Sequence, residues 1–244
     1  MFLVVGDLDF LDIESLASDA FGDLSSSSLD EPFTAPDPAS EPSSRLVVAT
    51  RAGAVQNNLR IGHDAPSRRL AALLNMDVIA INIGSAILGG TVSSRLSHEL
   101  REAKGYTYGV HAGFDFGSPA GFFAVTSEVS TGATGDAIAD VIRIIDDFVD
   151  SGVTRSELET TRAYLAGAMP VGLQTVSDVG GRLVEMTQHG LPTDYLTQEH
   201  ATLLEVSLDH VNNAIRGALH PDRLIVVVEG DSSAIGADLA KLKL

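Results

Sequence analysis

Two side chains near the middle of the chain, Arg101 and Tyr108, have the types and the spacing to act on a carbonyl group. Arg101 falls in the last turn of a predicted helix that ends at Gly105, and Tyr108 falls in the strand predicted to follow. A guanidinium and a phenol are both strong hydrogen-bond donors. A corner from helix to strand can bring them over one small region, where they would suit a peptide carbonyl or a developing oxyanion.

The same two residues also have a purely structural interpretation. Arg101 could pair with Glu102 or with the C-terminus of its helix, where a cation is favoured. Tyr108 could be a core aromatic residue whose polar tip reaches water. The residue types and their spacing leave both interpretations open.

A metal site is the next chemistry to consider. His98 with Glu99 and Glu102 could hold a metal only weakly, because a zinc site needs three protein ligands and an open position. A solvated polar helix face is the alternative interpretation of these residues. The chain has no H-x-x-E-H motif and no Cys, so we predict no metal site and no bound cofactor in it. The seven histidines are His63, His98, His111, His189, His200, His210 and His220.

Other classes of function are disfavoured by motif and by charge. The 244 residues contain no G-x-S-x-G motif, and the glycine-rich stretch Gly84–Gly90 lacks the lysine of a phosphate loop. Sixteen Lys plus Arg against 33 Asp plus Glu give a net charge of −17, which disfavours nucleic acids and anionic membranes as partners. Met1–Val5 is too short for a secretory leader, and we expect a cytoplasmic location.

A strand that ends in Gly-Asp and leads into an amphipathic helix occurs at both ends of the chain. Phe2–Asp7 precedes a helix with apolar residues from Ile13 to Phe21, and Leu224–Asp231 precedes a helix from Ile235. A repeat of this length indicates a duplicated domain. Coincidence is the alternative interpretation, because a strand that ends in Gly-Asp and leads into a helix is common in α/β proteins. The 22 residues from Asp23 to Ser44 include seven Ser, four Pro and five acidic residues, the composition of an extended, mobile linker. We therefore predict a domain tail at 1–22, a linker at 23–45 and a second domain at 46–244.

The second domain alternates between strands and helices. The helices include a long one from Pro66 that reaches Gly89, and one opened by a capping box at Thr154 and Glu157. The strands are Leu46–Thr50, Gln56–Gly62, Tyr106–Phe116, Gly121–Val129 and the last strand from Leu224. Period-two spacing predicts one shared face for Tyr106, Tyr108, Val110, Ala112, Phe114 and Phe116. The pattern predicts an α+β fold, a mixed and largely antiparallel sheet with helices packed on one face.

The segment around Arg101 also resembles a known signature. It is similar to the second half of the pitrilysin/insulinase family of zinc metallopeptidases, which includes the mitochondrial processing peptidases. The similarity extends over nearly the whole chain, from Val4–Phe21 to Val226–Asp231. The matching residues are Leu88-Gly89-Gly90, Ser93-Ser94-Arg95-Leu96, Leu100-Arg101-Glu102, Gly105 and Tyr108.

The resemblance implies that the two halves of the enzyme have different roles. In that family the first half binds zinc through H-x-x-E-H and a distant Glu, and the second half supplies an Arg–Tyr pair that reaches the substrate across a closed chamber. Arg101 and Tyr108 correspond to that pair. The zinc-binding half is missing here apart from its tail, so we expect this chain not to cleave peptides alone.

The implied partners are a zinc-binding homologous domain or subunit, which would hold the zinc, and a peptide substrate. A second copy of the chain is a further candidate partner. The chain could be a fragment of a longer protein or one subunit of a split enzyme, and a strand that begins at Met1 favours a fragment. A non-catalytic binding or scaffold module on the same fold is the alternative function, since fold does not fix function.

Overall fold

The structure, a computed structural model, describes residues 2–24, 45–117 and 120–242. Within these ranges, Ala86–Gly90 and His98–Ala103 are π-helical, and Thr131–Ala133 and Pro221–Arg223 are short 3₁₀ turns. The strands in these ranges are β1 (Leu46–Thr50), β2 (Gln56–Ala65), β3 (Thr107–Asp115), β4 (Gly121–Ser130) and β5 (Ile225–Gly230). The α-helices in these ranges are α1 (Ile13–Phe21), α2 (Arg68–Leu73), α3 (Val78–Ser85), α4 (Arg95–Ser97), α5 (Thr134–Ser151), α6 (Arg155–Val171), α7 (Val176–His189), α8 (Tyr195–Glu205), α9 (Leu208–Ala218) and α10 (Ser232–Leu239).

The described strands form one mixed sheet in the order β1-β5-β2-β4-β3. β1 and β5 are parallel, with Leu46 opposite Val226, and the other neighbours are antiparallel. β4 follows β3 and pairs with it, as predicted for a hairpin, although residues 118 and 119 of the connection lie outside the described ranges. β3 is therefore an edge strand of the described sheet, and Tyr108 lies on it.

The sheet buries one face beneath helices. Along β2, Leu59 and Ile61 are buried while Arg60 between them is exposed. β4 alternates in the same way, with Phe123 and Val125 in the core. The predicted α+β fold with helices on one sheet face is confirmed. No helix within the described ranges is both long and apolar enough to cross a lipid bilayer.

The helix predicted from Pro66 to Gly89 is wrong as one continuous element. It divides into α2 and α3 because Asn75 adopts a left-handed conformation with φ of 55°. Asp77 then caps α3 by accepting a hydrogen bond from the Ala80 N–H at 3.0 Å. Asn tolerates left-handed backbone and Asp is a strong N-cap, so the Asn75–Asp77 segment ends one helix and begins the next.

Other helix signals agree with the structure. The capping box at Thr154 and Glu157 opens α6, which runs through Pro170 to Val171. The end of the chain has the predicted strand-to-helix unit, in which Asp231 caps α10. These are short-range signals, and they need no knowledge of the tertiary fold.

The N-terminal segment differs from the prediction. Phe2–Asp7 does not pair as a strand, because no neighbouring strand lies beside it in the described chain. α1 forms as predicted and is capped by Asp12, but none of its residues is buried. The predicted linker at 23–45 lies almost entirely outside the described residues, and the three-part domain division stays a prediction.

Candidate functional site: an exposed arginine–tyrosine pair

Arg101 is positioned by a widened helical turn. Its segment, His98–Ala103, is π-helical, and the Lys104 N–H donates to the Glu99 carbonyl oxygen at 3.1 Å. Gly105 follows with φ of 64°, a left-handed conformation that suits glycine, and turns the chain towards β3. Single π-helical turns are rare and often occur at functional sites.

Tyr108 is positioned by a β-bulge. Thr107 lies opposite Val129 and Val110 lies opposite Ser127, so β3 has one more residue than β4 over this interval. The bulge separates Tyr108 from the core-facing positions Val110 and Ala112, and its side chain is 88% exposed. The single face predicted for all the alternating residues of β3 is therefore wrong at Tyr108, because an extra residue reverses the alternation.

The corner between helix and strand brings the predicted pair together. The Arg101 Cζ lies 5.4 Å from the centroid of the Tyr108 ring, a cation–π distance. Arg101 also lies near Glu102, with the Arg101 Nε 3.4 Å from the Glu102 Oε1, and the Arg101 side chain is 36% exposed. The structural alternative thus holds in part for Arg101, but Tyr108 is not a core residue.

The pair leaves donors directed at solvent. Within the described ranges, the Tyr108 hydroxyl has no hydrogen-bond partner, and the Arg101 Nη groups make no hydrogen bond to protein. Two strong donors on one exposed patch can bind a single oxygen atom that carries negative charge. The arrangement is chemically suited to a carbonyl or carboxylate group of a ligand.

An ionic network fixes the segment that carries Arg101 to the long helix α5. The Lys104 Nζ lies 2.5 Å from Asp140 and 3.2 Å from Glu99. Asp140 also accepts a hydrogen bond from Arg143 at 3.1 Å. The hydrogen bond to Asp140 raises the pKa of Lys104 above its usual range, which means that the contact favours the charged ammonium.

A second ion pair joins α4, just before Arg101, to α6. Arg95 donates two hydrogen bonds to Glu157, at 2.7 and 2.8 Å, and one to the Gly152 carbonyl oxygen at 2.7 Å. Burial raises the pKa of Glu157, but the hydrogen bonds from Arg95 and Thr154 outweigh it and lower that pKa to about 2. Arg95, part of the sequence signature, is therefore an anchor for the helix that leads to the site.

No metal centre is formed by the residues that the structure describes. None of their His, Cys, Asp and Glu side chains makes a group of three or more that could hold an ion. His98 is exposed, Glu99 pairs with Lys104, and Glu102 lies beside Arg101. The described residues therefore do not fit the zinc that the resemblance assigns to the family.

Two hydroxyl groups next to Tyr108 belong to residues that the sequence analysis did not identify. Thr107 and Ser127 lie at the bulge and are 9% and 5% exposed. Their hydroxyl groups are within hydrogen-bond distance of one another, at 3.0 Å. A Thr or a Ser in a strand is common, so residue type alone gives no signal of this contact.

The described part of this α+β domain carries an exposed Arg–Tyr pair and no cluster of three or more side chains that could hold a metal ion. The family model of the peptidase M16 inactive domain matches residues 1–165, and the chain belongs to this family. This confirms the resemblance to the non-zinc-binding half of the pitrilysin/insulinase metallopeptidases.

Relatives agree with that assignment. The chain is 24% identical over 143 residues to "Non-peptidase homolog YmxG" of Helicobacter pylori, covering 59% of this chain and 33% of the relative. It is 29% identical over 145 residues to the "Uncharacterized zinc protease Rv2782c" of Mycobacterium tuberculosis, covering 58% and 31%. The peptidase M16 inactive domain from Pseudomonas fluorescens superposes with a TM-score of 0.70 at 24% identity, over 82% of this chain and 46% of that one. The chain thus spans about a third of the length of these two relatives.

Proposed function

We propose that this inactive-domain chain serves a zinc metallopeptidase by binding the scissile region of a peptide through Arg101 and Tyr108. The observation that carries the proposal is the 88% exposure of Tyr108 beside the Arg101 guanidinium. A tyrosine kept for folding would bury its ring, because burying an aromatic ring is its main contribution to stability. Here the bulge and the π-helical turn, both departures from regular structure, present the two side chains to solvent.

The chemistry follows from the two donors. When a peptide carbonyl is attacked, its oxygen acquires negative charge. The Arg101 guanidinium and the Tyr108 hydroxyl can both donate hydrogen bonds to that oxygen. Preorganised donors of this kind stabilise the transition state more than the ground state. In this chain the pair therefore binds the peptide carbonyl and stabilises the negative charge on its oxygen, and it does not supply the nucleophile.

The metal chemistry belongs to a partner. The described residues offer no group that could hold zinc, so a zinc-binding homologous domain or subunit would supply it. The N-terminal segment supports such an arrangement, since Phe2, Phe10 and Leu16 are apolar and exposed. Docking that segment against a neighbouring domain would remove this apolar surface from water.

The alternative is a binding or scaffold module that takes no part in peptide cleavage. The name of the Helicobacter pylori relative, a non-peptidase homolog, favours it. A scaffold needs neither the exposed phenol nor the guanidinium beside it. Substitution of these two side chains should therefore lower peptidase activity if the first function is correct and leave it unchanged if the chain is a scaffold.

Peptidase assays of this chain combined with a zinc-binding half of the same protein, or of a close relative, separate them. Tyr108→Phe removes one hydroxyl and Arg101→Gln removes the guanidinium charge. We expect each to lower kcat by about 10²- to 10³-fold, the usual effect of losing one oxyanion donor.

Matched controls use exposed residues of the same types. The control variants are Tyr164→Phe on α6 and Arg69→Gln on α2, and both original side chains are exposed. Both controls are expected to retain full activity. Equal activity of Tyr108→Phe and Tyr164→Phe would instead assign the chain to the scaffold function.

A further inference from the structure

At the bulge in β3, the side chain of Thr107 makes hydrogen bonds to backbone groups that regular strand pairing would otherwise satisfy. The Thr107 Oγ1 accepts a hydrogen bond from the Gly109 N–H at 3.0 Å and donates to the Glu128 carbonyl oxygen at 2.6 Å. The extra residue of a bulge leaves backbone groups without their regular partners. Here the Thr107 hydroxyl satisfies two of them.

Ser127 completes this arrangement from the neighbouring strand. Its Oγ lies 3.0 Å from the Thr107 Oγ1 and 2.9 Å from the Gly109 carbonyl oxygen. Both side chains are almost entirely buried, and a buried hydroxyl that loses its partner is costly. Thr107 and Gly109 flank Tyr108 directly, so the two hydroxyls fix the backbone on both sides of it.

We infer that Thr107 and Ser127 are positioning residues, a hydroxyl clamp that holds the bulge and thereby keeps the Tyr108 phenol beside Arg101. Counting back by twos from the buried Ala112 would bring Tyr108 to the core-facing side of an unbroken strand. The clamp keeps the extra residue in place and so keeps the phenol outside. The clamp's importance for catalysis rests on the proposed function of Tyr108, but its effect on the position of the ring does not.

A measurement on the chain alone tests the position of the ring. The Tyr108 ring should shift the side-chain proton resonances of Arg101 upfield, because the guanidinium lies over its face. Tyr108→Leu gives the resonance positions without the ring. We expect Thr107→Val, which keeps the shape but removes the hydroxyl, to move these resonances most of the way to the Tyr108→Leu positions. Thr107→Ser, which restores the hydroxyl, should keep them near wild type.

Ser127→Ala is the second variant, and it decides the question if Thr107→Val does not fold. It should move the Arg101 resonances in the same direction by a smaller amount. Thr126→Val is the matched control, since the adjacent Thr126 hydroxyl makes no hydrogen bond within the described ranges. Wild-type resonance positions in folded Thr107→Val, or in Ser127→Ala if only that variant folds, would overturn the clamp.

Activity in the zinc-containing assembly gives the second readout. Thr107→Val should lower kcat by about 10- to 100-fold with little change in KM, since a displacement of about 1 Å can cost this much. Thr107→Ser should restore kcat. A kcat that stays at wild type in Thr107→Val while Tyr108→Phe is impaired contradicts the role of the clamp in catalysis. Unimpaired Tyr108→Phe contradicts the proposed function, and the resonance measurement still decides the clamp.

Discussion

At the residue scale, Tyr108 and Arg101 contribute little to the packed core. Tyr108 is largely exposed, and its contact with Arg101 is a cation–π pair at the surface, worth about 0.5–1 kcal/mol. Exposed substitutions away from caps and buried networks change stability by roughly 0.5 kcal/mol or less. The pair is therefore free to serve a ligand without a large cost to folding.

We predict that Tyr108→Phe leaves the free energy of unfolding within about 0.5 kcal/mol of wild type and that Arg101→Gln lowers it by about 1 kcal/mol at most. Urea denaturation monitored by circular dichroism measures both. Phe123→Ala, a truncation in the buried core, is the reference for a structural role and should cost about 3 kcal/mol or more. A loss of that size in Tyr108→Phe would show that the phenol is structural.

His63 is a buried residue whose charge state matters for folding. Its Nε2 accepts a hydrogen bond from the His220 N–H at 3.1 Å, and its Nδ1 lies 2.7 Å from the Asp64 carbonyl oxygen. Burial lowers the pKa of His63 below its usual range, in spite of the opposing hydrogen bond to Asp64. The folded state therefore favours the neutral imidazole.

The pH dependence has a definite sign. The pKa of His63 is lower in the folded chain than in the unfolded chain. Its contribution to the free energy of unfolding is therefore fully present above about pH 6.5, the pKa of an unperturbed His. It is lost as the pH falls through 6.5 towards the folded pKa. Urea midpoints between pH 7.5 and 5.0 should thus decline more steeply for wild type than for His63→Gln. Parallel declines would mean that His63 does not titrate in this way.

At the element scale, the Arg95–Glu157 pair joins α4 to the start of α6. Arg95→Met leaves the partly buried Glu157 without its cation, and we expect a loss of about 2–3 kcal/mol at pH 7. Arg155→Met, an exposed change at the start of α6, is the control and should be neutral. Guanidinium denaturation of both variants measures the difference, and a neutral Arg95→Met would contradict the anchoring role.

Acid provides a second test of the same pair. The pKa of Glu157 is about 2 in the folded chain against an ordinary 4.5, so its contribution is present above pH 4.5 and disappears as the pH falls towards 2. A shift of this size corresponds to on the order of 3 kcal/mol. Wild type should lose more stability over this interval than Arg95→Met. Equal losses would indicate that another group dominates the acid response.

Elements whose signals are local were predictable from the sequence. The capping box of α6 and the Gly-Asp end of β5 depend on residues three or four apart, and both form as predicted. The break at Asn75 was missed because apolar periodicity continues on both sides of one left-handed residue. The bulge at Tyr108 was missed because it depends on how β3 pairs with β4, which spacing along one strand does not encode. The closeness of Arg101 and Tyr108 at the corner from helix to strand was anticipated, but the bulge that exposes the phenol was not.

At the scale of the whole molecule, the described N-terminal residues 2–24 contribute no buried side chain to the core of the sheet. α1 has no buried residue, and no described residue before Leu46 packs in or against the hydrophobic core. Removal of residues 1–22 should therefore change Tm by no more than about 2 °C, because little buried apolar area is lost. Differential scanning calorimetry measures it. A fall of about 5 °C or more would place the segment within the folded unit.

The central claim is that Arg101 and Tyr108 recognise the transition state of peptide cleavage more strongly than the peptide itself. The most direct measurement compares two ligands of the assembled enzyme, a non-cleaved peptide and the phosphinate analogue of the same sequence, whose tetrahedral centre carries the negative oxygen. We predict that Tyr108→Phe weakens phosphinate binding about 10²-fold and peptide binding less than about threefold. Equal weakening of both ligands, or no change in either, would contradict the account.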